Sequence, residues 1–390
     1  MSKVESMRVG FLLSPDNWLG GRNYLRNLFA AIRTLPGTPL TPVIFTGRQQ
    51  NGTSKHFPEI EIVTTSILDR KSPAWFARKI LLKMTSQDLL MQRLLQQHHI
   101  SALSHSSHLG KQTAIKTIGW IPDFQHVHLP EFFSPEERRH RDRAFMNLCV
   151  LCNKIIVSSK CAGEDLRTFA PAYAHKAELL QFVASPASLA HAVELPDLQR
   201  VYSFNGPYFL LPNQFWAHKN HRAVLDALKI LKRQNEPFLV LATGSSEDYR
   251  NPTFFPSLMQ YAAECDVLDC FRVLGQIPFD HLVCLMQHAI AFVNPSKFEG
   301  WSTSVEEAKS MGKQIVLSDI PVHREQAPER GFFFPADDPE ALATAMKAAF
   351  DEFDSQKDAA MQDAASVHFP ERQREFGEAY LQTVLRASGR

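Results

Sequence analysis

Short apolar runs rich in β-branched and aromatic residues alternate with longer amphipathic stretches from one end of this chain to the other. That rhythm is the signature of parallel sheets covered by helices, because a crossover long enough to join two parallel strands brings a helix back over the sheet. In the first half it predicts strands at Arg8–Leu13, Pro42–Thr46, Glu61–Thr64, Ala102–His105, Thr117–Ile121 and Lys154–Ser158. Helical patterns at Arg22–Thr34, Ala74–Gln97, Pro135–Leu151 and Ala162–Phe169 lie between them. The rhythm lapses over Ala184–Phe204, where Pro186, Pro196 and the nearby Gly206 read as an interdomain connection. It resumes with strands at Tyr208–Pro212, Phe238–Thr243, Phe271–Leu274, Ala289–Val293 and Gln314–Ser318, and helices from about His218, Pro252, Phe279, Ser304, Pro339 and Pro370.

At 390 residues the chain exceeds what one core organises, so two α/β domains are expected, residues 1–200 and residues 201–369. Lys plus Arg (42) nearly balances Asp plus Glu (41), so no global field draws it to nucleic acid, and none is expected as a partner. The polar start Met1–Arg8 lacks the apolar core of a secretion signal, and no run reaches a membrane span, which predicts a cytoplasmic protein. Cys149 and Cys152 form a C-x-x-C, but in a helical pattern with no second pair of ligands, so they read as packing residues.

The segment from Asn294 to Gly312 carries the most chemistry. It is a strand end, a small-residue turn and a helix start, which aims free backbone N–H groups and a positive dipole end at a ligand phosphate. Gly300, Trp301, Ser302, Thr303 and Ser304 form that turn, with short hydroxyls as additional donors. Glu299 before it and Glu307 within the helix flank the same pocket from opposite ends, and spacing favours Glu307 over its neighbour Glu306. Carboxylates beside a phosphate repel it unless they grip something else, and sugar hydroxyls are the obvious partner. A nucleotide sugar is therefore the expected ligand, as substrate and not as cofactor.

The run Glu299-Gly-Trp-Ser-Thr-Ser-Val-Glu-Glu307, with Met311-Gly312, Ser318–Glu325 and Phe334–Leu342 beyond it, resembles the group-one family of retaining glycosyltransferases, whose mark is Glu, seven residues, then Glu. The resemblance implies a GT-B fold, two Rossmann-like domains facing each other across a cleft, with a C-terminal helix at 370–390 returning to the N-terminal domain. It implies that Glu299 holds the donor sugar, that the amides of Gly300–Ser304 meet sugar and phosphate, and that Glu307 binds ribose hydroxyls. In Leu211-Pro-Asn-Gln-Phe-Trp-Ala-His-Lys-Asn-His221, Lys219 matches the lysine of the family's Arg, four residues, Lys pair, and Gln214 stands where the arginine would be. Breaking the anomeric bond leaves negative charge on the diphosphate, which Lys219 can neutralise without a metal. No D-x-D motif is present to bind one, so no metal site is expected. Gly275 and Gln276 close another strand and are expected to border the nucleobase.

On the acceptor side, Gly20 and Gly21 lie in a turn after the first strand that permits close backbone approach to a phosphate or sugar. Ile118–Glu131 resembles the family's His-Asp then Pro-Glu segment, with Asp123 in register and Pro122 in place of the histidine; His126 is a candidate to take over its position in space. Asp123 and His126 are the expected sugar contacts. Finally, Lys71, Arg78, Lys79 and Lys83 interleave with Trp75, Phe76, Ile80, Leu81 and Leu82. Such a helix either rests on an anionic membrane through residues 70–83, near a lipid-linked saccharide acceptor, or packs on a core with its lysines solvated. The expected activity is transfer of a sugar to an acceptor hydroxyl in surface polysaccharide or glycolipid assembly. A nucleotide-sugar epimerase or hydrolase, and a non-catalytic nucleotide-sugar-binding subunit, are the competing readings.

Overall fold

The computed structural model describes residues 6–13, 19–49, 56–106, 108–111, 113–184 and 193–389. The chain divides into two compact units, one of Met1–Phe124, Pro135–Phe182 and Glu371–Arg390, the other of Gln125–Ser134 and Val183–Pro370. The predicted change of domain at 200 thus lies within the second unit, and the short segment around His126 groups with that unit too.

In the first unit β1 (Met7–Leu12), β2 (Leu40–Thr46), β3 (Glu61–Thr64), β4 (Ala102–Ser104), β5 (Lys116–Ile121), β6 (Lys154–Val157) and β7 (Ala177–Leu179) form one sheet in the order β3-β2-β1-β4-β5-β6-β7. Its ladders are parallel throughout. In the second unit β8 (Tyr208–Leu211), β9 (Leu239–Thr243), β10 (Phe271–Gly275), β11 (Phe292–Asn294), β12 (Ile315–Ser318) and β13 (Gly331–Phe334) form the order β10-β9-β8-β11-β12-β13, again all parallel. All four residues of β8 and of β12 are buried, as expected for strands with helices on both faces.

Several elements differ from the sequence expectation. The helical pattern over Ala74–Gln97 is two helices, Pro73–Thr85 and Leu89–Gln97, because Ser86 ends the first in a left-handed conformation and the Asp88 carboxylate caps the second. The connection over Ala184–Phe204 contains a helix, Leu195–Val201, and Pro186 lies outside the described residues. Strands β7 and β13 and the helix Pro321–Gln326 complete elements that the apolar pattern leaves unmarked. The last helix spans Ser355–Ser388, with Pro370 inside it instead of at its start. A proline removes one hydrogen bond from a helix interior, and this one sits where the chain passes from the second unit back to the first. Within the first unit a Cβ added at Gly377 would stand 2.5 Å from the Ala31 carbonyl oxygen, so the backbones of the last helix and of Leu19–Arg33 approach as closely as a glycine allows. Tyr380, fully buried, and Arg386, bonded to Glu178 at 2.8 Å, fasten the rest of the helix to that unit.

Candidate functional site

A doubly wound sheet reverses its winding where consecutive connections run to opposite sides, and loops at the carboxyl ends of the strands part there to leave room for a ligand. In the second unit the reversal lies between β8 and β11, which pair through Leu210 and Phe292. The loop after β8 carries Lys219 and the loop after β11 carries Glu299. Residues far apart in the chain therefore meet: the Lys219 ammonium donates to Glu299 Oε1 at 2.6 Å.

The two loops are stapled to each other by backbone and side chain. Asn220, in the left-handed region at φ 56, donates from its amide to the carbonyls of Pro295 at 3.1 Å and Ala336 at 2.9 Å. The Lys297 N–H donates to the His218 carbonyl at 2.8 Å. The helix His221–Arg233 then starts directly behind Lys219, with His221 buried and stacked on Phe215 at 4.4 Å.

Burial is the largest single influence on Glu299 and would raise its pKa, but the charge and hydrogen bond of Lys219, together with smaller contributions, outweigh it and the carboxyl falls to about 2. Smaller contributions come from His323 and from a hydrogen bond with Ser296. Two buried histidines beside the pair are held neutral. His218 is lowered well below the usual range by burial and by Lys219, against the opposing pull of Glu299. His323 is lowered by burial, and its Nδ1–H donates to the Ser318 carbonyl at 2.8 Å, which fixes the tautomer and leaves Nε2 as the acceptor. Lys219 and Glu299 thus form a charged pair beside neutral imidazoles.

The turn over Gly300–Ser304 is braced from within. The Ser302 and Ser304 hydroxyls accept from the Asn294 amide at 2.8 and 3.0 Å, and the Ser302 N–H is committed to Gln326 Oε1 at 3.1 Å. These bonds shape the turn; a hydroxyl that accepts keeps its own O–H to donate. Gln326 also donates to the Ser302 carbonyl and to Glu306, each at 3.0 Å. Glu306 is consequently buried in the scaffold, while Glu307, one residue on, is half-buried and turned to another face of helix Thr303–Ser310. Trp301 is buried, and Gly300 and Thr303 are half-buried.

The remaining predicted residues fall in several places. Gln214 is half-buried in the Lys219 loop, beside Gly244, whose backbone passes so close that an added Cβ would lie 2.6 Å from the Asn213 carbonyl oxygen. Gly275 adopts φ +71 and accepts from the Gly244 N–H at 2.9 Å, and Gln276 next to it is exposed. Gly20 and Gly21 lie in the first turn of helix Leu19–Arg33, whereas Asp16, Asn17 and Trp18 are outside the described residues. Asp123 belongs to the first unit, 3.7 Å from the Arg141 guanidinium, and His126 is buried in the segment that groups with the second.

Sequence reasoning missed Arg250, Asp248, Asn294, Gln326 and the role of His323. Arg250 follows β9 in a run of charged residues, Ser-Glu-Asp-Tyr-Arg, which was its only signal. Cys149 and Cys152 are buried, and burial raises both thiols to about 11. The nearby Lys176 ammonium instead caps the carbonyls of Cys149, Val150 and Cys152 at 2.7 to 3.1 Å. Among the described residues no group of three or more His, Cys, Asp or Glu side chains could hold a metal ion.

Helix Pro73–Thr85, in the first unit, has no buried residue. Phe76, Ile80 and Met84, spaced i, i+4, i+8 on one face, are 51%, 58% and 77% exposed. Lys79 and Lys83 are exposed along the same helix, as is Lys71 just before it. Arg78 is not among the exposed cations, because it turns back to Asp88 at 2.6 Å. Among the described residues no helix is long and apolar enough to cross a membrane.

Two all-parallel sheets of seven and six strands with helices between the strands give the chain the GT-B fold. A glycosyltransferase from Rickettsia africae ESF-5 superposes with a TM-score of 0.70 at 14% identity, covering 98% of this chain and 99% of that one. Anabaena Alr3699/HepE, solved with UDP and glucose, gives a TM-score of 0.69 at 14% identity over 97% and 100% of the two chains. Residues 201–366 match the family described as Glycosyl transferases group 1. The O-antigen chain mannosyltransferase RfbU of Salmonella typhimurium is 26% identical over 140 residues, which is 36% of this chain and only 37% of that protein.

Proposed function

We propose that the chain is an enzyme that transfers a sugar from a nucleotide-sugar donor to a saccharide hydroxyl, with retention at the anomeric carbon and without a metal, in surface polysaccharide or glycolipid assembly. The observation that carries this reading is the pair of half-buried Lys219 and buried Glu299 at the carboxyl edge of the second sheet. A lysine ammonium has three donors, and only one is spent on Glu299, so the cation can also meet a diphosphate. In the reaction the bond from the anomeric carbon to the diphosphate oxygen breaks, its electron pair stays on that oxygen, and Lys219 neutralises the charge. The acceptor oxygen bonds to the anomeric carbon and its proton passes to the departing diphosphate. Glu299 and the neutral His323 accept from sugar hydroxyls, Glu307 accepts from the ribose, Gly275 and Gln276 border the base, and Gly20, Gly21, Asp123 and His126 serve sugar and acceptor. The RfbU and HepE relatives support the setting and the donor class respectively.

The test is a thermal-shift screen against UDP-, GDP-, ADP- and dTDP-sugars, with Lys219→Ala and Glu299→Ala in parallel. One nucleotide class is expected to raise the melting temperature of the wild type, by about 3 kcal/mol of stabilisation at a hundredfold excess over Kd, and both substitutions to diminish the rise. No rise with any donor at saturating concentration would remove the reading.

The acceptor is proposed to be lipid-linked, reached through peripheral contact of helix Pro73–Thr85 with an anionic membrane. The exposed apolar row Phe76, Ile80 and Met84 beside Lys79 and Lys83 supports it, because apolar insertion and lysine–headgroup attraction act together there. In flotation, the protein is expected to rise with vesicles containing anionic lipid and to stay down with purely zwitterionic ones. Ile80→Ser combined with Lys79→Glu should abolish flotation, and equal flotation of that variant would contradict the proposal.

A further inference from the structure

The family pattern places two cations near the diphosphate, yet this chain has Gln214 where the arginine would be. The loop after β9 brings another arginine to the same edge of the second sheet. Its backbone is tied to the Lys219 loop by Phe215 N–H donating to the Ser245 carbonyl at 2.9 Å and by the Trp216 indole donating to the Glu247 carbonyl at 3.4 Å. Arg250 lies with its guanidinium 4.7 Å from the centroid of the Trp216 ring and 5.1 Å from that of Phe133. Its Nε donates to Asp248 Oδ1 at 3.3 Å and one terminal nitrogen to Gln125 Oε1 at 3.4 Å.

Its side chain is only 6% exposed, and Asp248, 3% exposed and 3.3 Å away, is the carboxylate that pairs with it. The bonds to Asp248 and Gln125 are both long, and a guanidinium carries five N–H donors, so this arginine is positioned without being saturated. Its charge is felt at the neighbour of Lys219: burial first, then Lys219 and more weakly Arg250, lower the pKa of His218. Resting on the Trp216 face also holds the guanidinium plane in a fixed orientation.

We infer that Arg250 is the second cation of the donor site, contacting the diphosphate of the nucleotide sugar from the β9 loop and replacing the arginine absent at position 214. The inference rests on the donor-site reading above. Lys219 and Arg250 then approach the diphosphate from the loops of two neighbouring strands, β8 and β9, instead of from one loop. A planar fork and a point charge divide the work, the arginine fixing the orientation of two phosphate oxygens and the lysine following the charge that develops on the leaving oxygen.

The experiment is titration calorimetry of the full chain with UDP, GDP, ADP and dTDP and with the matching nucleoside monophosphates. The variants are Arg250→Gln, Arg250→Lys and the double change Arg250→Gln with Asp248→Asn, which removes the cation without leaving its carboxylate unpaired. The wild type is expected to bind one diphosphate at least tenfold more tightly than its monophosphate. The double variant should lose roughly 10- to 100-fold on the diphosphate and less than threefold on the monophosphate, with Arg250→Lys intermediate. A wild-type melting temperature in the double variant shows that the loss is not one of folding. If the double variant keeps the wild-type preference for the diphosphate, Arg250 is a loop-holding residue and the inference fails while the donor site stands. If the wild type binds none of the eight nucleotides, both the inference and the donor-site reading fall.

Discussion

Lys219→Ala is expected to lower the rate of sugar transfer by roughly 100- to 1,000-fold, the usual effect of deleting one positioned group that stabilises charge in a transition state. The loss should appear chiefly in kcat, since the charge on the diphosphate grows as the anomeric bond breaks and is smaller in the bound ground state. The same substitution changes how the protein responds to acid. In the wild type burial raises the carboxyl of Glu299, and the lysine, with smaller help from His323 and Ser296, brings it from 4.5 down to about 2. A carboxyl whose folded pKa lies below its unfolded value contributes stability above the unfolded pKa, and that contribution fades as pH falls toward the folded one. Wild-type stability should therefore decline between about pH 4.5 and 2 through this group. Without Lys219, burial acts unopposed by its main partner, the carboxyl rises, and Glu299 no longer stabilises the fold at neutral pH. Urea melts of wild type and Lys219→Ala at pH 7 and pH 3 measure this; the gap between them should be wider at pH 7. An equal gap at both values would mean that the pair is not coupled as its geometry requires, and undiminished transfer by the variant would remove Lys219 from the chemistry.

Asp358→Ala should strongly destabilise the second unit. Asp358, near the start of the last helix, accepts from the fully buried Lys313 ammonium and from Arg330 at 2.8 Å, and also from Gln362 at 2.9 Å. Lys313 holds one further bond, to the Gln287 carbonyl at 3.0 Å. Burial lowers the pKa of Lys313 and Asp358 raises it, so the carboxylate is what keeps that ammonium charged. Deleting one partner of a buried ion pair costs about 3–5 kcal/mol, because the remaining charge is left in a medium that cannot solvate it. For a unit of this size that corresponds to a fall in melting temperature of about 10 °C or more. Adding Lys313→Met to Asp358→Ala should recover much of the loss, since the pair itself is worth far less than the cost of breaking it. Differential scanning calorimetry of the single and double variants decides it; a single variant that melts within 2 °C of wild type would show that water or a neighbour compensates the charge, roughly the effect of less than 1 kcal/mol.

The two predictions differ in how far the sequence alone could have reached them. Lys219 and Glu299 were legible because each lies in a strand, turn, helix pattern whose residue types already imply charge and hydroxyl recognition. Their contact was not derivable by spacing, since it depends on β8 and β11 being neighbours in the sheet while β9 and β10 run to the other side. The Lys313, Arg330 and Asp358 cluster had no signature: a lysine after a glycine and an aspartate at a helix start read as ordinary surface residues, and only packing of the last helix buries them. Arg250 escaped for the same reason, being one charge among several in a polar loop. That the Ser302 and Ser304 hydroxyls accept from the Asn294 amide is not legible in the sequence, because it depends on how the turn folds back over the end of β11.

What the sequence by itself determined is the alternation of buried strands and amphipathic helices, the division into two α/β units, and the residue types at the carboxyl ends of two strands. Those follow from periodicity and local backbone chemistry, which act over a few residues and need no tertiary partner. Tertiary structure alone decided which loops adjoin, that Asp123 and His126 group with different units, that the last helix starts at Ser355 and passes through Pro370, and which charges are buried. Burial and long-range contact set the pKa of Glu299 and the cost of losing Asp358, and both depend on how distant segments exclude water from a charge.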